Sequence, residues 1–199
     1  MKNVLKLISG QVLTGFSVAL VVLSSFGSFA ITTCNIGMSN LTGLSLGVIS
    51  MIIELCIIGF NYINGEKCGL CTLCNAIFGG FIIDFFLNTI ITPTNLVVRL
   101  LFAVFGTVLL AVSSYLTSSS GYGQQSTNAL MTVLLRKTKK PIRLVRTCEE
   151  IMFMIVGLIG HGGVGLFTLI LSVSFGVVMD FVFKVLKFNP EETEHKYLF

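Results

Sequence analysis

Four carboxylates stand in or beside long apolar runs, and they are the residues best placed to do chemistry. Glu54 lies within Leu44 to Ile63, Asp84 within Leu70 to Ile91, Glu150 at the head of Ile151 to Leu186, and Asp180 late in that same run. An ionisable group at membrane depth is costly, and it usually faces a bundle interior or a water path. Glu54 has no basic residue within two helical turns, so a cation or a proton is its natural ligand. Its structural alternative is a protonated side chain hydrogen-bonded to a neighbouring helix. Arg146 precedes Glu150 by four residues, which puts both on one helix face. The pair serves either as an intrahelical ion pair or as part of a ligand site. Asp84 and Asp180 are candidates for a gate or an ion site, or else for caps at the membrane interface.

Two polar segments join this set. Ser24 to Thr42 and Ser118 to Thr138 are rich in Ser, Thr, Asn, Gln and Gly, and each lies between two apolar runs. Matching polar interruptions in two halves of a chain are a sequence pointer to a transporter site. Asn128 and Thr32 occupy matching positions in these connectors. The alternative is a pair of interfacial amphipathic helices with ordinary loops.

The elements that must carry these groups follow from composition. The 199 residues are 54% hydrophobic and 11% charged, with a mean hydropathy of +0.93. A soluble domain carries about 25% charged residues, so this chain cannot cover a soluble surface. The apolar runs Leu5 to Phe26, Leu44 to Ile63, Leu70 to Ile91, Leu96 to Leu116 and Ile151 to Leu186 approach or exceed the roughly 20 residues of a spanning helix. The last is split by Gly160-His161-Gly162-Gly163, and the fifth span starts near Ile142. Backbone groups in lipid must bond within their own segment. The reading is an all-α, polytopic membrane bundle of six transmembrane helices in one integral membrane domain, residues 1–199. The first run also fits a secretory signal, but it takes part in the following repeat.

Shifted by 96 positions, the chain matches itself without a gap. Gly10-x-Val12-Leu13 falls on Gly106-x-Val108-Leu109, Glu54 on Glu150, and Asp84-Phe85 on Asp180-Phe181. Gly69-Leu70-x-Thr72-Leu73 falls on Gly165-Leu166-x-Thr168-Leu169. Repeat one is 6–91, repeat two 102–187, and 188–199 is a cytoplasmic tail. Three spans per copy make the second enter from the opposite side, as in inverted-topology transporters. The basic residues agree. With both termini cytoplasmic in a bacterial inner (plasma) membrane, Arg99 alone of the 13 Lys and Arg falls outside. The acidic stretch Glu191 to Glu194 then ends the chain in the cytoplasm.

Other features read as structure. Cys68-x-x-Cys71-x-x-Cys74 has no fourth ligand nearby for a structural zinc site, and Cys71 and Cys74 fall on apolar Phe167 and Ile170. No metal or cofactor is expected. His161 reads as a turn residue on the outer side. Gly69, Ala76, Gly79 and Gly80, with Gly165, Ser172, Ser174 and Gly176, permit close helix contact, placed most simply at the pseudo-twofold axis. Arg136 to Arg146 is accounted for by topology and anionic lipid, so nucleic acid is not a partner.

The second copy resembles the bacterial YczE/YyaS/YitT group of membrane proteins, YczE-like members most closely. The residues are Gly121-x-Gly123, Asn128-Ala129-Leu130-Met131, Leu144-Val145-Arg146-Thr147-x-x-Glu150 and Gly162-Gly163-Val164-Gly165-x-x-Thr168. In the first copy they are Leu41-Thr42-Gly43-Leu44-Ser45-x-Gly47 and Gly69-x-x-Thr72-Leu73-x-Asn75-Ala76. The resemblance covers nearly the whole chain and implies the same membrane fold. Where that group has Pro and Asp after the Gly-x-Gly, this chain has Ser126 and Asn128, and Ala30 and Thr32 in the first copy. Where the group has a second Gly before the Thr, Cys71 and Phe167 stand here.

No Walker loop, nucleophile elbow or zincin motif is present, so an enzyme is not expected. The leading expectation is a small-solute transporter or permease with its site between the two repeats. Glu54, Glu150, Arg146, Asn128, Thr32, Asp84 and Asp180 are the candidate substrate- or ion-binding residues. The alternative is a membrane scaffold or accessory subunit of a larger complex, and a channel is a third. The expected partners are the bilayer, an unidentified small solute or ion, and a second copy of the chain if it forms a homodimer.

Overall fold

The computed structural model describes residues 2–44, 46–67, 69–163 and 165–189. Ser45, Cys68, Val164 and the tail with Pro190, Glu191 to Glu194 and Lys196 lie outside that set, as do the side chains at positions 46, 47, 166 and 172. The described residues form an all-helical chain: α1 (Lys2–Leu23), α2 (Ala30–Thr42), α3 (Leu46–Ile63), α4 (Leu70–Thr89), α5 (Leu96–Ser118), α6 (Ser126–Thr138), α7 (Ile142–Ile159) and α8 (Leu166–Val185). The boundaries of α2 and α6, of α3 and α7, and of α4 and α8 are offset by the same 96 residues as the sequence repeat.

Four helices, α1, α4, α5 and α8, are long and apolar enough to cross a bilayer. In α3 the apolar stretch is shorter, Val48–Ile63. In α7 the charges are sorted by face. Arg146, Glu149 and Glu150 are buried together with Val145, Phe153 and Gly157. Met152, Ile155, Leu158 and Ile159 are exposed on the other side. A soluble helix shows the reverse arrangement, so α7 has the pattern of a helix whose outer face meets lipid.

The two polar connectors are largely helical. Each contains a 13-residue helix, α2 or α6. Neither looks like a span in sequence, because both face protein: Thr33, Cys34 and Gly37 of α2 are buried, as are Ser126, Asn128, Met131 and Thr132 of α6. The two are half-length elements. The first turn of α2 lies against Glu150, midway along α7, and its later residues pack on Gly157 and Gly160 at the end of α7. In the same way, α6 begins against Glu54, midway along α3, and its last turn reaches the loop after α3, where Arg136 pairs with Glu66 at 2.7 Å.

The centre is the pair α1 and α5, which run antiparallel. A Cβ on Gly10 would meet Thr117 and Leu116, and a Cβ on Gly106 would meet Val21 and Leu20. Between them Thr14 donates to Ser113 Oγ at 3.2 Å. At one end Lys6 reaches Ser119, and at the other Arg99 Nε donates to the Ser24 carbonyl at 2.7 Å. The small residues at the centre are therefore those of α1 and α5. The glycines of α4 and α8 serve elsewhere: Gly69 and Gly165 against the opposite connector, Gly176 against α7, and Gly80 with open space beside it. The main apolar core, with Val21, Leu110, Met131, Phe175, Met179 and Phe183, joins α1, α5, α6 and α8.

Candidate functional site

A helix that begins inside a bundle leaves its first N–H groups without partners, and a partial positive charge gathers there. Water does not meet that need at membrane depth, so the protein must. At α2 the other half supplies such a partner, and at α6 it meets the side chain of the first residue. Glu150 of α7 accepts from the Ala30 N–H at the start of α2, 3.3 Å away. Glu54 of α3 accepts from the Ser126 hydroxyl at the start of α6. Asn75 of α4 also hydrogen-bonds Glu54. These contacts relate residues at equivalent positions of the two copies.

The glycines and threonines of the duplicated Gly-Leu-x-Thr motif have a matching task. Gly69 lies against Tyr122 and Gly123 of the second connector, and Gly165 against Phe26 and Gly27 of the first. Thr72 donates its hydroxyl to the Gln124 carbonyl at 2.6 Å, and Thr168 Oγ1 accepts from the Ser28 N–H at 3.3 Å. Cys71 N–H donates to the Tyr122 carbonyl at 2.9 Å. The chain can approach this closely only because no Cβ stands at positions 69 and 165.

The second half adds a buried ion cluster. Arg146 donates from Nη1 to Glu149 at 2.8 Å, and its Nη2 lies 3.0 Å from Glu150. Its guanidinium carbon sits 5.0 Å from the Phe175 ring centroid, close enough for a cation–π contact. Arg146 is 5% exposed, and Glu149 and Glu150 are 2% exposed each. The Arg146–Glu150 pair follows from the i,i+4 spacing. Glu149 was not singled out in the sequence, although its i,i+3 spacing from Arg146 was equally available.

The remaining candidates are dispersed. Asn128 is buried in the first turns of α6 with its Nδ2 unpaired, whereas its counterpart Thr32 is half-buried. Asp180 pairs with Lys184 at 2.8 Å near the end of α8, and Asp84 is exposed late in α4. Neither Asp joins the central carboxylates. Asn61, whose Nδ2 donates to the Ser126 carbonyl at 2.9 Å, is a member that the sequence did not reveal. It is one polar residue in an apolar run, and its partner belongs to the other copy.

Among the described residues no three His, Cys, Asp or Glu side chains are grouped to hold a metal ion. Two apolar grooves of about 400 and 290 Å³ run along the outer face of α1 and α4, lined by Val12, Phe16, Phe81 and Phe86 among others, and no central carboxylate lines either.

Comparison with known proteins gives two matches. The model of a family of unknown function (DUF6198) matches residues 1–184. An uncharacterized protein of Haemophilus influenzae (strain ATCC 51907 / DSM 11121 / KW20 / Rd) is 28% identical over 178 residues, covering 88% of this chain and 81% of the relative. No solved structure matches the chain.

Proposed function

The chain belongs to the family of unknown function DUF6198, and from that premise we propose a secondary transporter or permease for a small cationic or neutral solute. The observation that carries this reading is the reciprocal placement of two mid-helix carboxylates, each on the first turn of a half-length helix from the other copy. Half-helix termini near the midplane, at the junction of two repeats, are a recurrent way to build a transporter site. The antiparallel course of α1 and α5 supports six spans in two inverted copies. YczE-like membership, an inner-membrane location and cytoplasmic termini complete the proposal.

The charges narrow the solute. The positive helix ends of α2 and α6 already face carboxylates, so they are not free to attract an anion. Glu149 and Glu150 share one guanidinium, that of Arg146, and Glu54 meets the Ser126 hydroxyl and the Asn75 amide. A cation or a neutral solute accompanied by a proton suits this balance. The test is uptake of labelled cationic and neutral solutes into proteoliposomes, with and without a pH gradient. Uptake is expected for the wild type and abolished in Glu54→Gln, Glu150→Gln, while both proteins keep their yield and helical spectrum. Undiminished uptake in the double variant removes the carboxylates from the mechanism.

A membrane scaffold or accessory subunit is the second reading. Its support is the closed packing around Glu150, with that carboxylate satisfied by a helix end and an arginine. A stable partner on purification, with no uptake by the isolated chain, decides for it.

A further inference from the structure

The cluster on α7 holds more negative than positive charge, and the surplus is buried. Arg146 divides its two Nη groups between Glu149 and Glu150, at 2.8 and 3.0 Å. All three side chains are almost wholly removed from the surface. An uncompensated charge in such a setting either acquires a counter-ion or loses its charge.

Among the described residues the neighbouring helices bring no other counter-ion. Nothing in α2 is charged along Ala30–Thr42, and Cys34 is its one thiol. The charges of α8, Asp180 and Lys184, are paired with each other near its far end. The basic residues of α6, Arg136 and Lys137, lie in its last turn and hold Glu66 and Asn64. A metal cation at this point would sit beside the positive guanidinium. A proton bound to a carboxylate oxygen removes the surplus without adding a second cation.

The two carboxylates differ in what they accept. Glu150 has Arg146 on one oxygen and the Ala30 N–H, at the positive end of α2, on the other. Both contacts compensate negative charge on Glu150. Glu149 has Arg146 on Oε2, and its Oε1 is buried without a partner. We propose that the Glu149–Glu150 pair holds a single exchangeable proton, resident on Oε1 of Glu149. This proton site exists whether or not the chain transports anything; its use as a coupling proton rests on the transporter reading.

Infrared difference spectroscopy on the purified full chain in nanodiscs tests it. A Glu54→Gln background removes the other central carboxyl. A pH step is expected to show the carbonyl stretch of one protonated carboxyl in that background. The band disappears in Glu149→Gln, because Arg146 and Glu150 then balance. Glu149→Asp moves the band to slightly higher frequency, as expected for the shorter acid, while Glu150→Asp leaves it in place. Persistence of the band in Glu149→Gln, its absence from the parent, or a shift with Glu150→Asp alone overturns the assignment. Should Glu149→Gln fail to fold, the two Asp variants decide. Uptake measurements are a separate arm: an intact band pattern without uptake keeps the proton site and discards its coupling role.

Discussion

Gly69 and Gly80 are eleven residues apart on one helix and its entry, yet they tolerate change very differently. A Cβ at Gly69 would stand 2.4 Å from the Tyr122 carbonyl oxygen and 2.5 Å from Gly123 Cα. One at Gly165 would stand 2.5 Å from the Phe26 carbonyl oxygen. The opposing atoms are backbone, which cannot turn away as a side chain can. Gly69→Ala and Gly165→Ala are therefore expected to lower stability by about 1–3 kcal/mol, the usual cost of overpacking. Gly80 has nothing within 4 Å, and Gly80→Ala is expected to be neutral or to gain up to roughly 1 kcal/mol of helix propensity. Heating detergent-solubilised variants and following the surviving monodisperse peak measures the contrast. Equal losses at positions 69 and 80 would contradict it. The motif pair itself was legible in the sequence, because two Gly-Leu-x-Thr-Leu strings recur in one register. Its meaning was not, since the atoms it touches lie in the other copy, and spacing within one copy carries no information about them.

For the elements, legibility followed what each helix faces. Helices with broad exposed apolar surfaces, α1, α4 and α5, announced themselves through length and apolarity. The short helices α2 and α6 did not: at 13 residues each falls short of the roughly 20 that a spanning helix needs. Two of the central groups, Glu149 and Asn61, were also missed. Glu149 adjoins Glu150, whose i,i+4 spacing already accounted for Arg146, and Asn61 acts only on α6. Helix α7, the expected fifth span, is a sharper case, because its mean composition argues against membrane insertion while its outer face argues for it. Met152 lies on that outer face, one residue or two from buried Glu150 and Phe153. An Asp near the centre of a spanning helix costs about 2.5–3.5 kcal/mol on insertion scales. Met152→Asp is thus expected to cut the carbonate-resistant, membrane-integrated fraction severalfold, although the same helix carries two native Glu residues. Undiminished integration would show that the face bearing Met152 does not meet lipid.

On the scale of the whole molecule, antiparallel packing of equivalent helices has a consequence for topology. Residues at matching positions of the two copies should emerge on opposite faces. Asn40, late in α2, donates to the His161 carbonyl at 3.2 Å beyond the end of α7. Lys137, late in α6, donates to Asn64 beyond the end of α3. These two ends are therefore expected to lie across the bilayer from each other, and the proposed topology, with the basic residues around Lys137 inside, has that end face the cytoplasm. Single cysteines at Asn40 and Lys137, in a chain whose native cysteines have been replaced, can be probed with a membrane-impermeant maleimide. Asn40→Cys is expected to react in intact cells, and Lys137→Cys only after permeabilisation. Reaction of both from one side would require the copies to share an orientation. The pairing of Glu54 with α6 and of Glu150 with α2 would then no longer mark a midplane site, because related carboxylates in parallel copies need not lie at a common depth.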